Sequence, residues 1–336
     1  MMRTRSIARA AAAAALATFV ASCGSSAAVP AGSTTSGAPA LRGANGGHPI
    51  AAWMRRGSAS ENLLYTTGHT PSQGYEVYVL TYPQGQLVGA IDAPAEGLCA
   101  DTAGNVYVLY RNAATEYAHG GTQPLRTVRI PGAETENCAV DPTTGNLAVT
   151  FLCPPCGYQN LAIFPPGSGE PTRYQAPLAY GVTYDNLGNL FLDYDTGSGT
   201  EMAELPSGSS QFITISLDKG VGEVGSIQWD GKYVTVQNLR PPVTISRISI
   251  NGSTGTIVSQ SKFGPYMRYA SYSWLAGDGT VTFPFARHGD QTNQLGIWKY
   301  PKGKYPAHRI KNFGDGGTGF GAVTVSLAPS SLHSRR

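Results

Sequence analysis

Two clusters of residues in this chain have types and spacings that could do chemistry. Asp193-Tyr194-Asp195, followed by Glu201 and Glu204, puts carboxylates at both ends of a span with the spacing of a calcium loop running from its first to its twelfth ligand position. Ser198 occupies the sixth position, where the sharp turn of such a loop wants Gly, and Gly197 brings no side-chain ligand to the fifth. A plain acidic loop fits the same residues. If a cation binds, carboxylate oxygens suit a hard ion, so the expectation is weakly held Ca²⁺, not Zn²⁺ or Cu²⁺. The second cluster is Cys153-Pro154-Pro155-Cys156. Its Cys-x-x-Cys spacing suits a redox pair only at a helix start in a βαβ setting. Between strands it reads as a structural disulfide in an oxidising compartment, while Cys99 and Cys138 read as buried apolar thiols.

Other catalytic signatures are missing. The sequence has no Gly-x-Ser-x-Gly, no phosphate-binding loop of the Walker type and no His-Glu-x-x-His, and its six His are scattered. Gly314 to Gly319 satisfies Gly-x-Gly-x-x-Gly, but it leads into a strand pattern and not a helix, so it reads as a linker. The balance leans away from an enzyme. Charged residues make up 13% of the 336, against 42 Gly and 23 Pro, and the hydrophobic content of 41% is enough for a core. A net charge of +3 without a basic block gives no electrostatic case for nucleic acid.

The N-terminus carries an address. Arg3, Arg5 and Arg9 precede an apolar run from Ala10 to Val20 that is too short to span a bilayer. Val20-Ala21-Ser22-Cys23 then resembles a bacterial lipobox, which implies that Cys23 is acylated and becomes the first residue of the mature protein. Residues 24–58 are mostly Ser, Gly, Ala, Thr and Pro and read as a flexible tether. The expected address is the extracytoplasmic cell envelope, with a monomeric domain held to the membrane through its lipid.

The rest of the chain repeats. An apolar approach, an Asp, a Gly-containing turn and a second apolar run recur at Asp101, Asp141, Asp185, Asp230 and Asp278. A second hairpin signature recurs at Gly85, Gly120, Gly167, Gly208, Gly252 and Gly303, with a mean period near 44 residues. Asp and Gly are what tight turns between strands require. Four short strands per 40–50 residues is the signature of a propeller blade. The first unit lacks its innermost strand, which Gly321 to Ser326 can supply. The expectation is all-β: a six-bladed β-propeller over 59–326, closed by its C-terminal strand pairing into the first blade, with a tail over 327–336.

The Asp-x-x-Gly-Asn-x-Tyr-Val pattern resembles the NHL-repeat and gluconolactonase-like (regucalcin-type) propellers. That resemblance implies a channel mouth where acids and amides converge on a metal. Glu96 before Gly97, Glu136-Asn137 at the equivalent place one unit on and Asp193 at a strand end are the positions similar to the family's ligands, and Glu223 is another acid just before an inner strand. The Glu-Gly pair falls one blade later than in the family, and Tyr180 stands where the family's paired Asn would be. The leading expectation is therefore a non-catalytic module binding a small molecule or a protein. The alternative is a metal-dependent lactone or ester hydrolase.

Overall fold

The computed structural model describes residues 52–70, 74–153, 159–176, 179–195, 200–264, 267–287, 294–311 and 319–328. Helix among them is confined to a single 3-10 turn over Ser58–Ser60. Strands follow in chain order: β1 (Trp53–Met54), β2 (Leu63–Thr70), β3 (Gly74–Thr81), β4 (Leu87–Ile91); β5 (Gly97–Ala100), β6 (Val106–Tyr110), β7 (Ala113–Tyr117), β8 (Pro124–Arg129); β9 (Glu134–Val140), β10 (Leu147–Leu152), β11 (Gln159–Phe164), β12 (Thr172–Gln175); β13 (Ala179–Tyr184), β14 (Leu190–Asp195), β15 (Thr200–Leu205), β16 (Ile213–Leu217). They continue as β17 (Val224–Trp229), β18 (Val234–Asn238), β19 (Thr244–Asn251), β20 (Thr254–Lys262); β21 (Met267–Ala270), β22 (Trp274–Ala276), β23 (Thr280–Arg287), β24 (Gln294–Lys299), β25 (His308–Ile310); and β26 (Gly319–Ser326).

The turns form for the reason the sequence suggests. Asp101 Oδ1 accepts from the Ala103 and Asn105 N–H groups at 2.9 and 2.8 Å, and Asp185 does the same for Leu187 and Asn189. Each carboxylate thus satisfies backbone donors that the reversal would strand. Gly104 and Gly188 follow with φ of 92° and 81°, a region that a side chain disfavours.

The hydrogen-bonded sheets run β1-β4-β3-β2-β26, then β5 to β8 and β9 to β12 in chain order, and finally a five-stranded sheet in which β21 and β22 both pair with β23. The strands β13 to β20 do not divide into two sheets. They form one of eight strands, because β16 and β20 pair in parallel at Ser216–Thr254 and Leu217–Gly255. β26 runs antiparallel to β2 from Leu63–Ser326 to His69–Gly319. The first strand of each unit lies against that of the next: β26 touches β5, then β5–β9, β9–β13, β13–β17, β17–β22 and β22–β26 follow.

Described structure continues past residues 59 and 326 at both ends. Trp53 and Met54, within the stretch read as tether, pair with Ala90 and Gly89 as an extra edge strand. Ala328, expected in the tail, is buried, and its N–H donates to Asn62 Oδ1 at 2.9 Å. The core is split into clusters shared by successive sheets. One joins Leu64, Leu80 and Val325 of the first sheet to Leu295, Ile297 and Ile310 of the last. Another joins Tyr107 and Leu109 to Val149 and Phe151. Burying both faces of every sheet this way is what lets short strands read as nearly continuous apolar runs.

Candidate functional site

The innermost strands surround a cavity of about 240 Å³. Its walls come from Leu98, Cys138, Val182, Ile227, Leu275 and Val323 on six different strands, and at the N-terminal ends of those strands lie Glu96, Glu136, Asn137 and Tyr272. Strand polarity decides this. All these strands run the same way past the axis, so whatever precedes or opens them gathers at one mouth, away from the Asp turns.

That mouth is acidic. Glu96 is exposed just before β5, and its N–H is fixed by Leu109 O at 2.8 Å. Glu136 is half-buried in β9, and its carboxyl is pushed above the ordinary range by burial first, then by the charges of Glu96 and Glu134. Tyr272 sits between β21 and β22. Burial, with the neighbouring charges of Glu136, Asp193 and Tyr180, raises its phenol to about 12. Asn137 caps its own strand: its Oδ1 accepts from Cys138 N–H at 2.8 Å, and its Nδ2 reaches Tyr180 O at 3.5 Å.

Asp193 is fully buried on β14, in a slot between β13 and β17. A Cβ at Gly181 would come within 2.8 Å of both Asp193 Oδ1 and Ile227 Cγ2, so the missing side chain makes the slot. Neither carboxyl oxygen makes a hydrogen bond of acceptable geometry with a described residue. Burial pushes this carboxyl up to about 7, and the nearby N–H groups of Gly181 and Asp193 only moderate the effect.

The opposite wall is held by side-chain amides. The innermost strand of the last sheet breaks at Ser271–Ser273, which would strand backbone groups in the interior. Gln237 Nε2 donates to Ser271 O at 3.0 Å, and its Oε1 accepts from Ser273 N–H at 2.9 Å. Ser226 Oγ also accepts from Ser273 N–H, at 2.5 Å. Gln228 Nε2 donates to Ser273 O at 2.9 Å, and its Oε1 accepts from Leu275 N–H. Sequence reasoning missed all four residues, Ser226, Gln228, Gln237 and Tyr272. The only available signal was polar residues in phase with the apolar positions of earlier units.

The residues expected from sequence scatter. Glu96, Glu136 and Asn137 share the mouth. Glu223 turns away to an exposed salt bridge with Arg240 at 2.5 Å. Asp193 lies behind β13, and among the described residues no three His, Cys, Asp or Glu are grouped to hold a metal ion. Asp195 ends β14, with its side chain outside the described set. Residues 196–199 of the calcium-loop spacing, together with Cys23 and Cys156, also lie outside the described residues. Glu201 accepts from Tyr194 OH at 3.1 Å. Cys153 is disulfide-bonded. Cys99 and Cys138, expected as free thiols, are joined to each other. Their Cα atoms are 5.7 Å apart because β5 and β9 are neighbours at the axis, a proximity that linear spacing hides.

No protein-family model matches the sequence, and no curated protein is similar to it. Solved structures are similar in fold. A protein of unknown function from Bacteroides caccae superposes with a TM-score of 0.59 at 15% identity, covering 80% of this chain and 99% of that one. A chain of a nidogen/laminin complex gives 0.58 at 12%, covering 80% and 98%. The β-propeller domain of Myceliophteria thermophila Cps50 (Swd1) gives 0.52 at 10%, covering 81% and 89%. With the sheet arrangement above, these likenesses define the fold: an all-β protein of propeller type.

Proposed function

We propose that this chain is a six-bladed, membrane-tethered propeller of the cell envelope that binds a small cationic group at the mouth of its central cavity without transforming it. The eight-stranded sheet counts as two blades bridged at their outer edges, and the closed cycle of inner-strand contacts supports that count. The Cys99–Cys138 bond fits an oxidising compartment, and acylation of Cys23 fits the lipobox-like sequence.

The observation that carries the ligand class is that Glu96 and Glu136 line one mouth of the cavity, where burial first and then the charges of Glu96 and Glu134 raise the Glu136 carboxyl. A cation between Glu96 and Glu136 relieves that repulsion, and Tyr272 adds an aromatic wall. A cavity of about 240 Å³ is below the roughly 300–1,000 Å³ of sites for drug-sized ligands. It suits an ammonium or guanidinium side chain or a small amine. Among the described residues that line it there is no nucleophile–base pair. Calorimetric titration with arginine amide tests this reading: wild type binds, and Glu96→Gln/Glu136→Gln loses at least about tenfold in affinity. Equal heats from both proteins reject it.

The alternative, a metal-dependent lactone or ester hydrolase with Ca²⁺, needs Glu96, Asn137, Asp193 and Glu223 in one coordination sphere. Pairing of Glu223 with Arg240 works against that. A melting shift with Ca²⁺ over EDTA that disappears in Asp193→Ala would favour the hydrolase.

A further inference from the structure

Five of the 24 lysines and arginines fall in residues 294–311, which contain no Asp or Glu. In the fold this stretch is the β24–β25 hairpin, and β25 is the open edge of its sheet. Lys299, Lys302, Lys304, Arg309 and Lys311 are all exposed, and none forms a salt bridge with a described residue. The hairpin is also pinned in place. Lys304 N–H donates to Lys262 O at 2.7 Å, Gly264 N–H to Lys304 O at 2.8 Å, and Ser261 Oγ to Pro301 O at 2.6 Å. The backbone that carries the cations is therefore held in place. Among them Tyr305 stands 70% exposed, and beside it Met267, Phe285 and Pro306 line a notch of about 360 Å³ with Arg309 on its rim. Exposed aromatic and basic side chains on one rigid edge suit the boundary between water and an anionic bilayer.

The position of the edge adds a second argument. Ile310 of β25 lies directly against Gly85 of the β3–β4 hairpin, and β1, where the chain first joins the domain, is the outer strand of that same sheet. The basic edge is thus next to the sheet that receives the tether. From Cys23 to residue 52 a Gly- and Ser-rich chain has a reach of about 30 Å. We propose that the β24–β25 edge docks on the anionic lipid headgroups of the membrane that holds the tether; this rests on the acylation of Cys23 proposed above. A tether of that reach keeps headgroups at high effective concentration near the edge, which favours lipid over a soluble polyanion. Lys299 pairs with Thr280 beside the Asp278 turn, so the hairpin tip with Lys302 and Lys304 lies at the end of the strands opposite Glu96 and Glu136, and Arg309 follows further back along the edge, opposite Gly296. Docking leaves the acidic mouth turned away from the lipid.

The test uses the processed chain with Cys23→Ser, which carries no acyl group, sedimented with vesicles of phosphatidylcholine alone or mixed with phosphatidylglycerol. Binding is expected to the mixed vesicles only. Lys302→Glu/Lys304→Glu/Arg309→Glu is expected to weaken it roughly 100-fold. The charge-matched Arg129→Glu/Lys219→Glu/Lys232→Glu should stay within about threefold of wild type, because those cations lie on other sheets. Equal loss in the two triple variants overturns the proposal, as does capture of soluble polyphosphate without vesicle binding. Labelled fatty-acid incorporation into the chain with Cys23 intact reads the anchor separately. Vesicle binding without such label would reject the anchor and leave the docking surface standing.

Discussion

Cys99 and Cys138 are bonded across the seam between β5 and β9, at matching places in two consecutive units. Both are buried against Leu109 and Val149. Their sequence separation of 39 gives a loop whose closure in the unfolded chain is worth about 4 kcal/mol on the chain-entropy model. Cys99→Ala/Cys138→Ala should lower the denaturation midpoint accordingly under non-reducing conditions. An unchanged midpoint would mean that the seam is already fixed by packing.

Asp193 makes stability fall as pH rises. Its carboxyl is held at about 7 in the fold, above the unfolded value near 3.8. Stability is therefore complete below the unfolded value, where the group is protonated in both states. It is lost as pH climbs through about 7, by a few kcal/mol at the full shift. Asp193→Asn should stabilise the protein at pH 8 and change little at pH 4. Urea midpoints at the two pH values read this, and a difference of the opposite sign would place the charge elsewhere.

The amide network predicts an uneven response among glutamines. Gln237→Leu leaves Ser271 O without its amide donor and weakens the hold on Ser273 N–H in the interior, at a cost of about 2–4 kcal/mol. The exposed Gln211→Leu should cost less than about 0.5 kcal/mol. Thermal melts of the two variants that coincide would rule out a structural role for the network.

The pairing of β26 with β2 is testable by truncation. Deleting residues 319–336 removes the partner of β2 and exposes an unpaired edge along Leu63–Thr70. That chain should aggregate or lose its cooperative melt. Deleting only 329–336 keeps Ala328 and its bond to Asn62, so its melting temperature should match that of the intact protein.

The Asp turns and hairpin glycines were legible because each is a local device, satisfied by backbone groups within four residues. They carried the all-β, repeated architecture and the strand that pairs with Leu63–Thr70. What stayed hidden depends on approach between units. The Cys99–Cys138 bond needs two inner strands to be neighbours, and the β16–β20 pairing needs two outer edges to meet. The break at Ser271–Ser273 left no periodicity to read, since its partners Ser226, Gln228 and Gln237 lie one unit earlier. The cations of residues 294–311 are spaced by Tyr, Pro and Gly, and only the hairpin gathers them on one edge.

The central claim is that the acidic mouth holds a cationic group. A crystal structure of the protein grown with arginine amide tests it most directly. The account predicts a guanidinium between the carboxylates of Glu96 and Glu136, alongside Tyr272. An ordered ligand elsewhere with that mouth empty, or a metal ion held there by Glu96 and Asn137, would contradict it.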